Sequence, residues 1–294
     1  MEHGASACQP AYSSPRHILP AGACDSHLHV LGPRLRFPYA AAGRYVPAAD
    51  VPIEACLDMH DEVGIARAVL VQSSSYGTDN RAMLDALRRY PGRLRGVAVV
   101  APDISPKCLR DMHELGVRGL RFKQFPAEQG HRAVADLQAL ARLAGPMREL
   151  GWHAQLWIDP EVLLLSEPML RGLDLPLVFD HLGQPRIGDG VQAPAFQTLL
   201  GLLGDGIAWI KLSAVYRFAG IEADRGNRCF PFHDALLRAN PGHAVWGSDW
   251  PHVQMAGPPP DVGRLLDLLA GWTDADTWRG ILVDNPATLY GFED

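Results

Sequence analysis

The sequence predicts a single α/β domain, a distorted (β/α)8 TIM barrel over residues 23–294, behind an N-terminal tail at 1–22. Three observations carry this. Short apolar runs alternate with helix-like stretches along the whole chain. No shift in composition marks a domain boundary after residue 22. Polar residues able to do chemistry collect at the C-terminal ends of several apolar runs, where barrels of this class place their active sites.

Taken in order, the predicted strands are Ala23–Val30, Ala66–Gln72, Leu94–Val100, Gly119–Lys123, His153–Ile158, Leu177–His181, Trp209–Ser213 and Ala244–Asp249. Helical stretches separate them at Ile53–Val63, Asn80–Arg89, Pro106–Glu114, Val134–Glu149, Pro160–Leu170, Pro194–Leu203 and Phe230–Asn240. Further helix follows at Val262–Ala270 and Asp276–Val283. Strands that alternate with helices pair in parallel. Eight such units imply a closed barrel rather than an open sheet. The rival, a doubly wound sheet, calls for a Gly-rich phosphate turn after the first strand. Asp25-Ser26-His27-Leu28-His29 stands there instead. Residues 32–52, rich in Pro, Gly and aromatics, read as an elaborated first loop over the mouth.

Composition narrows the function. The 294 residues are 47% hydrophobic and 20% charged, the balance of a large-cored globular protein. A net charge of −6 offers no basic surface for nucleic acid. No apolar run reaches the ~18–20 residues that cross a bilayer. Five cysteines without a CxxC pair read as reduced thiols, and the first twenty residues lack a signal-peptide pattern, so a cytoplasmic location is expected. Oligomeric state is not legible.

Three motifs carry the chemistry. His27 and His29, at i and i+2 near the end of the first strand, can both point into the mouth. Two unrelated strand histidines are the bland alternative. Asp180-His181 ends the sixth strand, and could equally cap the next segment. Trp246-Gly247-Ser248-Asp249-Trp250-Pro251-His252 ends the eighth. Desolvation of Asp249 by the two indoles is expected to raise its pKa and suit it to accept a proton. The alternative is a carboxylate that holds the Trp250–Pro251 turn.

These motifs, with Phe37-Pro38-Tyr39, Arg44-Tyr45, Gly77-Thr78-Asp79-Asn80, Arg95 to Val100, Gly119-Leu120-Arg121-Phe122, Leu182-Gly183 and Asp284-Asn285-Pro286, make the chain resemble the amidohydrolase superfamily. The resemblance is closest to the amidohydrolase-2 branch with its 2-pyrone-4,6-dicarboxylate and sugar-acid lactonases. It runs from about Ala23 to Tyr290 and implies a lactone-opening hydrolase. Asp249 would be the general base, and His27, His29 and His181 would polarise the carbonyl.

Metal is the open question. Two histidines and a carboxylate are sound zinc ligands. The resemblance implies that a common mononuclear site adds a fifth-strand histidine and a binuclear site a bridging fourth-strand residue. Here the fifth strand ends Leu156-Trp157-Ile158-Asp159, with His153 at the wrong end. Lys123 has no second metal to bridge. The resembling lactonase works without metal, so no cofactor is expected. If zinc or manganese binds, His27, His29, Asp249 and His181 would hold it.

Arg121 and Arg217, near strand ends, and Tyr45, in the first loop, match substrate-holding residues of the resembling lactonase. Two guanidinium forks in one mouth suit an anionic small-molecule substrate. A salt bridge to a neighbouring loop is the alternative for either arginine. Gln124 and Gln184 stand where arginines are expected, and Arg132 is a possible substitute for the first. His60, His113, His131, His233 and His243 are read as solvated, and His252 as a supporter of Asp249. Cys24 has no activating partner. Two further readings stay in view: a divalent-metal amidohydrolase or decarboxylase of the same branch, and a non-catalytic barrel that binds an anion.

Overall fold

The computed structural model describes residues 12–40, 45–125, 136–219, 228–255 and 257–293. Eight parallel strands form one sheet in sequential order: β1 Cys24–Leu28, β2 Arg67–Val71, β3 Leu94–Ala98, β4 Val117–Gln124, β5 His153–Ile158, β6 Leu177–Phe179, β7 Ala208–Ser213 and β8 Ala244–Gly247. The helices between them include α1 Ile53–Val63, α2 Arg81–Arg89, α3 Pro106–Glu114, α4 Leu137–Glu149, α5 Pro160–Arg171 and α6 Pro194–Gly204. A short turn, α7 Tyr216–Ala219, precedes α8 Phe230–Ala239, α9 Val262–Trp272, α10 Ala275–Arg279 and α11 Asn285–Tyr290. The predicted single-domain barrel is the observed fold.

The alternation of side chains explains the two apolar layers. Ala68 and Leu70 of β2 join the large core between sheet and helices. Val69 and Val71 instead cluster with Cys24, Val97, Tyr290 and Phe292. Residues i and i+2 of a strand share a face, so the second set lines the barrel's interior. Tyr290 and Phe292, at and just beyond the end of α11, close its lower end. Burial on both faces makes the strands near-continuous apolar runs. It also makes Gln155 on β5, and Lys211 and Ser213 on β7, conspicuous: all are buried and polar.

β1 and β8 meet at a short seam. Leu28 pairs with Trp250, the His29 N–H donates to the Trp250 carbonyl at 2.8 Å, and the Asp249 N–H donates to the His27 carbonyl at 2.8 Å. Asp25 is buried behind this seam. Its Oδ1 accepts from the Ser248 N–H at 2.9 Å, and its Oδ2 accepts from the Ser248 hydroxyl at 2.5 Å. Closure therefore runs through the Asp25–His29 and Trp246–His252 motifs themselves.

One expectation changes. The predicted sixth and eighth strands stop short, at Phe179 and Gly247. His181 and Asp249 follow with φ of 51° and 59°. These left-handed conformations, costly for residues with a Cβ, turn both side chains out of the strand path and into the mouth. The N-terminal tail is docked where described: the Arg16 N–H and Nε donate to Asp267 at 2.8 and 2.9 Å, and Ser13 donates to Asp261 at 3.0 Å. Gly263 allows the passage, since a Cβ there would lie 2.0 Å from the Ser13 carbonyl oxygen. Residues 1–11 lie outside the described set. No described helix is long and apolar enough to cross a membrane.

Candidate active site

The structure brings His27, His29, His181 and Asp249 together at the C-terminal end of the barrel. All are buried. The His27 ring lies 5.2 Å from that of His29 and 4.7 Å from that of His181. Gly247 permits the closeness of β8, because a Cβ there would meet that of His27 at 2.5 Å. His29 Nδ1 donates to the Val71 carbonyl at 2.8 Å. A carbonyl can only accept, so Nδ1 carries a proton and Nε2 faces the site. That Nε2 lies 3.7 Å from Asp249 Oδ1, and His27 Nε2 lies 3.8 Å from the same oxygen. Among the described residues, His27 Nε2 is buried without a hydrogen-bond partner. His181 Nδ1 pairs with the Ser213 hydroxyl at 2.8 Å. Burial pushes the His181 pKa down to about 4, so the ring is neutral near pH 7.

Asp249 departs from expectation. Burial does push its pKa up, as expected of desolvation. His181, His29, Arg217 and His27 outweigh burial and hold the carboxyl well below the usual carboxylate range. The indoles do not govern it. Oδ2 accepts from the Tyr216 hydroxyl at 2.6 Å and from Arg217 Nε and Nη2 at 3.0 and 2.9 Å. Arg217 Nη2 also donates to the Val253 carbonyl at 3.0 Å, and its side chain keeps 29% exposure. His252 Nδ1 donates to the Tyr216 hydroxyl at 3.2 Å, so it touches Asp249 through that phenol.

Arg121 faces inward. Its Nε and Nη2 donate to Asp180 Oδ2 at 3.0 and 2.8 Å, and both side chains are buried. Gln155 Nε2 donates to Asp180 Oδ1 at 2.8 Å, and His27 Nδ1 stands 3.2 Å from that oxygen. Burial would raise the Asp180 pKa, but Arg121 and His27 keep it well below the usual range. Lys211 lies beneath, fully buried, and donates to the Ser26 carbonyl at 2.8 Å and Gln155 Oε1 at 2.7 Å.

At the rim the half-buried Tyr45 hydroxyl meets Ser73 Oγ at 3.0 Å. Lys123 donates to Ser74 and lies 4.7 Å from the Trp157 ring centre. Gln124 Oε1 accepts from the Leu137 N–H at 3.1 Å and so serves the start of α4. Arg132, the possible substitute, lies outside the described residues, as do Arg44 and His131. Burial raises the Cys24 thiol to about 12, which fits its reading as no nucleophile.

Two histidines read as solvated are not. His60 is fully buried on the barrel face of α1, with Nε2 3.3 Å from Asp25 Oδ2, and His233 is buried in α8. His113 and His243 are half-buried. His113 Nδ1 accepts from Trp152 Nε1 at 2.9 Å, and His243 Nδ1 donates to the Ala208 carbonyl at 3.0 Å. Each sits near an element end that packs on a neighbour, which a single-residue reading of helix and turn positions does not reveal.

The donor set accommodates a cation. His27, His29 and Asp249 offer atoms within 4.8 Å of one another, as do His27, Asp180 and His181. The partnerless His27 Nε2 and the inward Nε2 of His29 are suitable ligand atoms. Asp249 Oδ1 faces both nitrogens, while Oδ2 serves Arg217 and Tyr216.

The sequence reading missed Lys211, Ser213, Gln155 and Tyr216. A signal existed for two of them. Lys211 and Ser213 share a face of an otherwise apolar strand, and charge in the middle of a doubly buried strand demands a partner.

A family model described as Amidohydrolase matches residues 24–292. A Comamonas testosteroni 2-pyrone-4,6-dicarboxylate hydrolase is 34% identical over 95% of this chain and 93% of its own. A Rhizobium radiobacter 4-sulfomuconolactone hydrolase is 37% identical over 93% of this chain and 91% of its own. A crystal structure from Pseudomonas putida, provisionally described as a 2-pyrone-4,6-dicarboxylic acid hydrolase, superposes with TM-score 0.82. It is 32% identical and covers 94% of this chain and 100% of that one.

Proposed function

We propose, from the premise that this chain belongs to the amidohydrolase family, that it is a hydrolase opening the ring of an anionic lactone. The observation that carries this is the convergence of buried His27 and His29 on one carboxylate, with His181 against His27 and Arg217 reaching from that carboxylate toward solvent. Asp249 takes a proton from water as the oxygen attacks the lactone carbonyl. His27 and His181 stabilise the negative charge that develops on the carbonyl oxygen, and His29, whose Nδ1–H is held by the Val71 carbonyl, joins them when its Nε2 also carries a proton. Collapse breaks the ring C–O bond, and the proton held by Asp249 passes to the departing oxygen. The product is an open-chain carboxylate.

Arg217 is the residue best placed to meet an acidic group on the substrate. An anion that draws Arg217 away also releases Asp249 Oδ2 and strengthens it as a base. Tyr45, at the rim, meets Ser73 just beyond β2, on the strand next to the β1–β8 seam. Arg121 acts chiefly through Asp180. Both named relatives act on lactones with a second acidic group, and a sugar-acid lactone remains within the same chemistry.

A second reading rests on the partnerless His27 Nε2. His27, His29 and Asp249, with His181 beside them, would hold zinc or manganese, which when bound polarises a carbonyl and makes water more acidic. The metal-free reading is preferred because Arg217 and Tyr216 already neutralise Asp249 and β5 ends without a histidine.

The test is a substrate panel that includes 2-pyrone-4,6-dicarboxylate, 4-sulfomuconolactone and sugar-acid lactones, followed by acid release with a pH indicator. Hydrolysis of an anionic lactone, with neutral lactones slower, is expected. Carbon dioxide release from aromatic acids would favour the decarboxylase reading. Binding without turnover of any compound would favour the non-catalytic barrel.

A further inference from the structure

Lys211 takes no part in the steps above, yet it is a fully buried lysine under the site. An ammonium has three N–H donors and no acceptor. Two serve the Ser26 carbonyl and Gln155 Oε1. The third points to His27 Nδ1 at 3.4 Å. A nitrogen that accepts from Lys211 cannot carry its own proton toward it. The proton of a neutral His27 ring then sits on Nε2, the atom that faces Asp249 Oδ1 and the mouth.

The competitor is Asp180, whose Oδ1 stands 3.2 Å from the same Nδ1 and would favour a proton there. Its oxygens are already engaged, Oδ2 by Arg121 and Oδ1 by Gln155. Gln155 joins the rivals, because its carbonyl oxygen accepts from Lys211 and its amide donates to Asp180.

We propose that Lys211 is a positioning residue, which fixes His27 as the Nε2–H tautomer so that this nitrogen donates to the lactone carbonyl. The donor role rests on the lactonase reading. The tautomer does not, and it is measured separately. The same arrangement blunts His27 as a metal ligand, since a ligating nitrogen must present a lone pair.

The experiment is a long-range 1H–15N spectrum of the histidine rings in the full chain near pH 6, with His27 assigned by its loss in His27→Asn. Wild type is expected to show a protonated, pyrrole-type Nε2 and a bare Nδ1. Lys211→Met leaves Asp180 alone beside Nδ1, so the pattern should reverse. It should also lower kcat by ~10²-fold, the scale of a lost oxyanion donor, with KM little changed. Zinc affinity, read by competition with a chromophoric chelator, should rise. Lys211→Arg keeps a donor and should keep the wild-type pattern even if Lys211→Met fails to fold. A wild-type ring with the proton on Nδ1 overturns the proposal. So does a folded Lys211→Met whose His27 signals match wild type. If no lactone is turned over, the spectra still decide the role of Lys211.

Discussion

Two aspartates stand at the top of the barrel, each gripped by an arginine, and their surroundings differ. Asp180 and Arg121 are sealed: both are buried and Gln155 adds a further hydrogen bond. Asp249 is equally buried, but Arg217 keeps 29% exposure and shares its Nη2 with the Val253 carbonyl. The same bond type therefore serves two purposes. A sealed pair has no alternative partner, so it stays locked in the interior. A pair open at one end can exchange its carboxylate for a substrate anion. Accessibility of the cation, rather than the ion pair itself, separates scaffold from chemistry.

The largest expected effect falls on the open pair's carboxylate. Asp249→Asn keeps the shape and loses the proton acceptor, so kcat should fall ~10²–10⁴-fold or more. Ligand binding, followed by titration with substrate, should largely survive. Turnover near wild type would remove Asp249 from the mechanism and leave the two pairs equivalent.

The next effect falls on the sealed pair and is read in stability. Arg121→Met strands the Asp180 carboxylate inside the protein. Breaking a buried pair from one side costs ~3–5 kcal/mol. Urea unfolding should show that loss, whereas Arg217→Met should lose far less. Equal stabilities would mean that the pairs do not differ as their burial implies.

Arg217→Met should instead lower kcat/KM for an anionic lactone by ~1.5–3 kcal/mol, mostly through KM. It should also move the acid limb. In wild type, Asp249 stays ionised to well below the usual carboxylate range, and burial holds His181 neutral down to about 4. Both active forms are thus present above that value, and burial pushes Lys211 down to about 7, so kcat/KM should stay flat from about pH 6 to 5, then fall on further acidification. Arg217 is one of the groups that lower Asp249, so removing it raises that pKa. The rate should then begin to fall at a higher pH than in wild type. A limb that does not move would show that Asp249 does not set it.

The barrel was legible because its strands are apolar runs broken by polar ends, a pattern visible without contacts. His27, His29, His181 and Asp249 were legible for the same reason. What stayed hidden depends on partners. The direction of the Asp249 pKa needed Arg217 and Tyr216 on Oδ2, and neither adjoins it in sequence. Arg121 reads as an anchor until Asp180, on another strand end, is seen against it. His60 lies on a helix whose buried face only docking reveals. Strand ends were overextended because left-handed φ at His181 and Asp249 follows from tertiary hydrogen bonds rather than local propensity.

The smallest expected effect is that of chelation. A divalent cation at His27 and His29 needs Asp249 as a third ligand, and that carboxylate is already held by the guanidinium and phenol of its own site. Metal and Arg217 thus compete for one anion, and the sealed pair offers no relief, because Arg121 holds Asp180. Converging imidazoles can still collect zinc adventitiously, so metal content alone does not answer the question; dependence of rate on metal does. After thorough treatment with EDTA, followed by its removal and elemental analysis, kcat/KM for the anionic lactone should match the untreated protein. Added Zn²⁺ or Mn²⁺ should not raise it. Activity lost on chelation and regained with either ion would mean that the open pair opens for a metal before it opens for substrate, and the second reading of the site would replace the first.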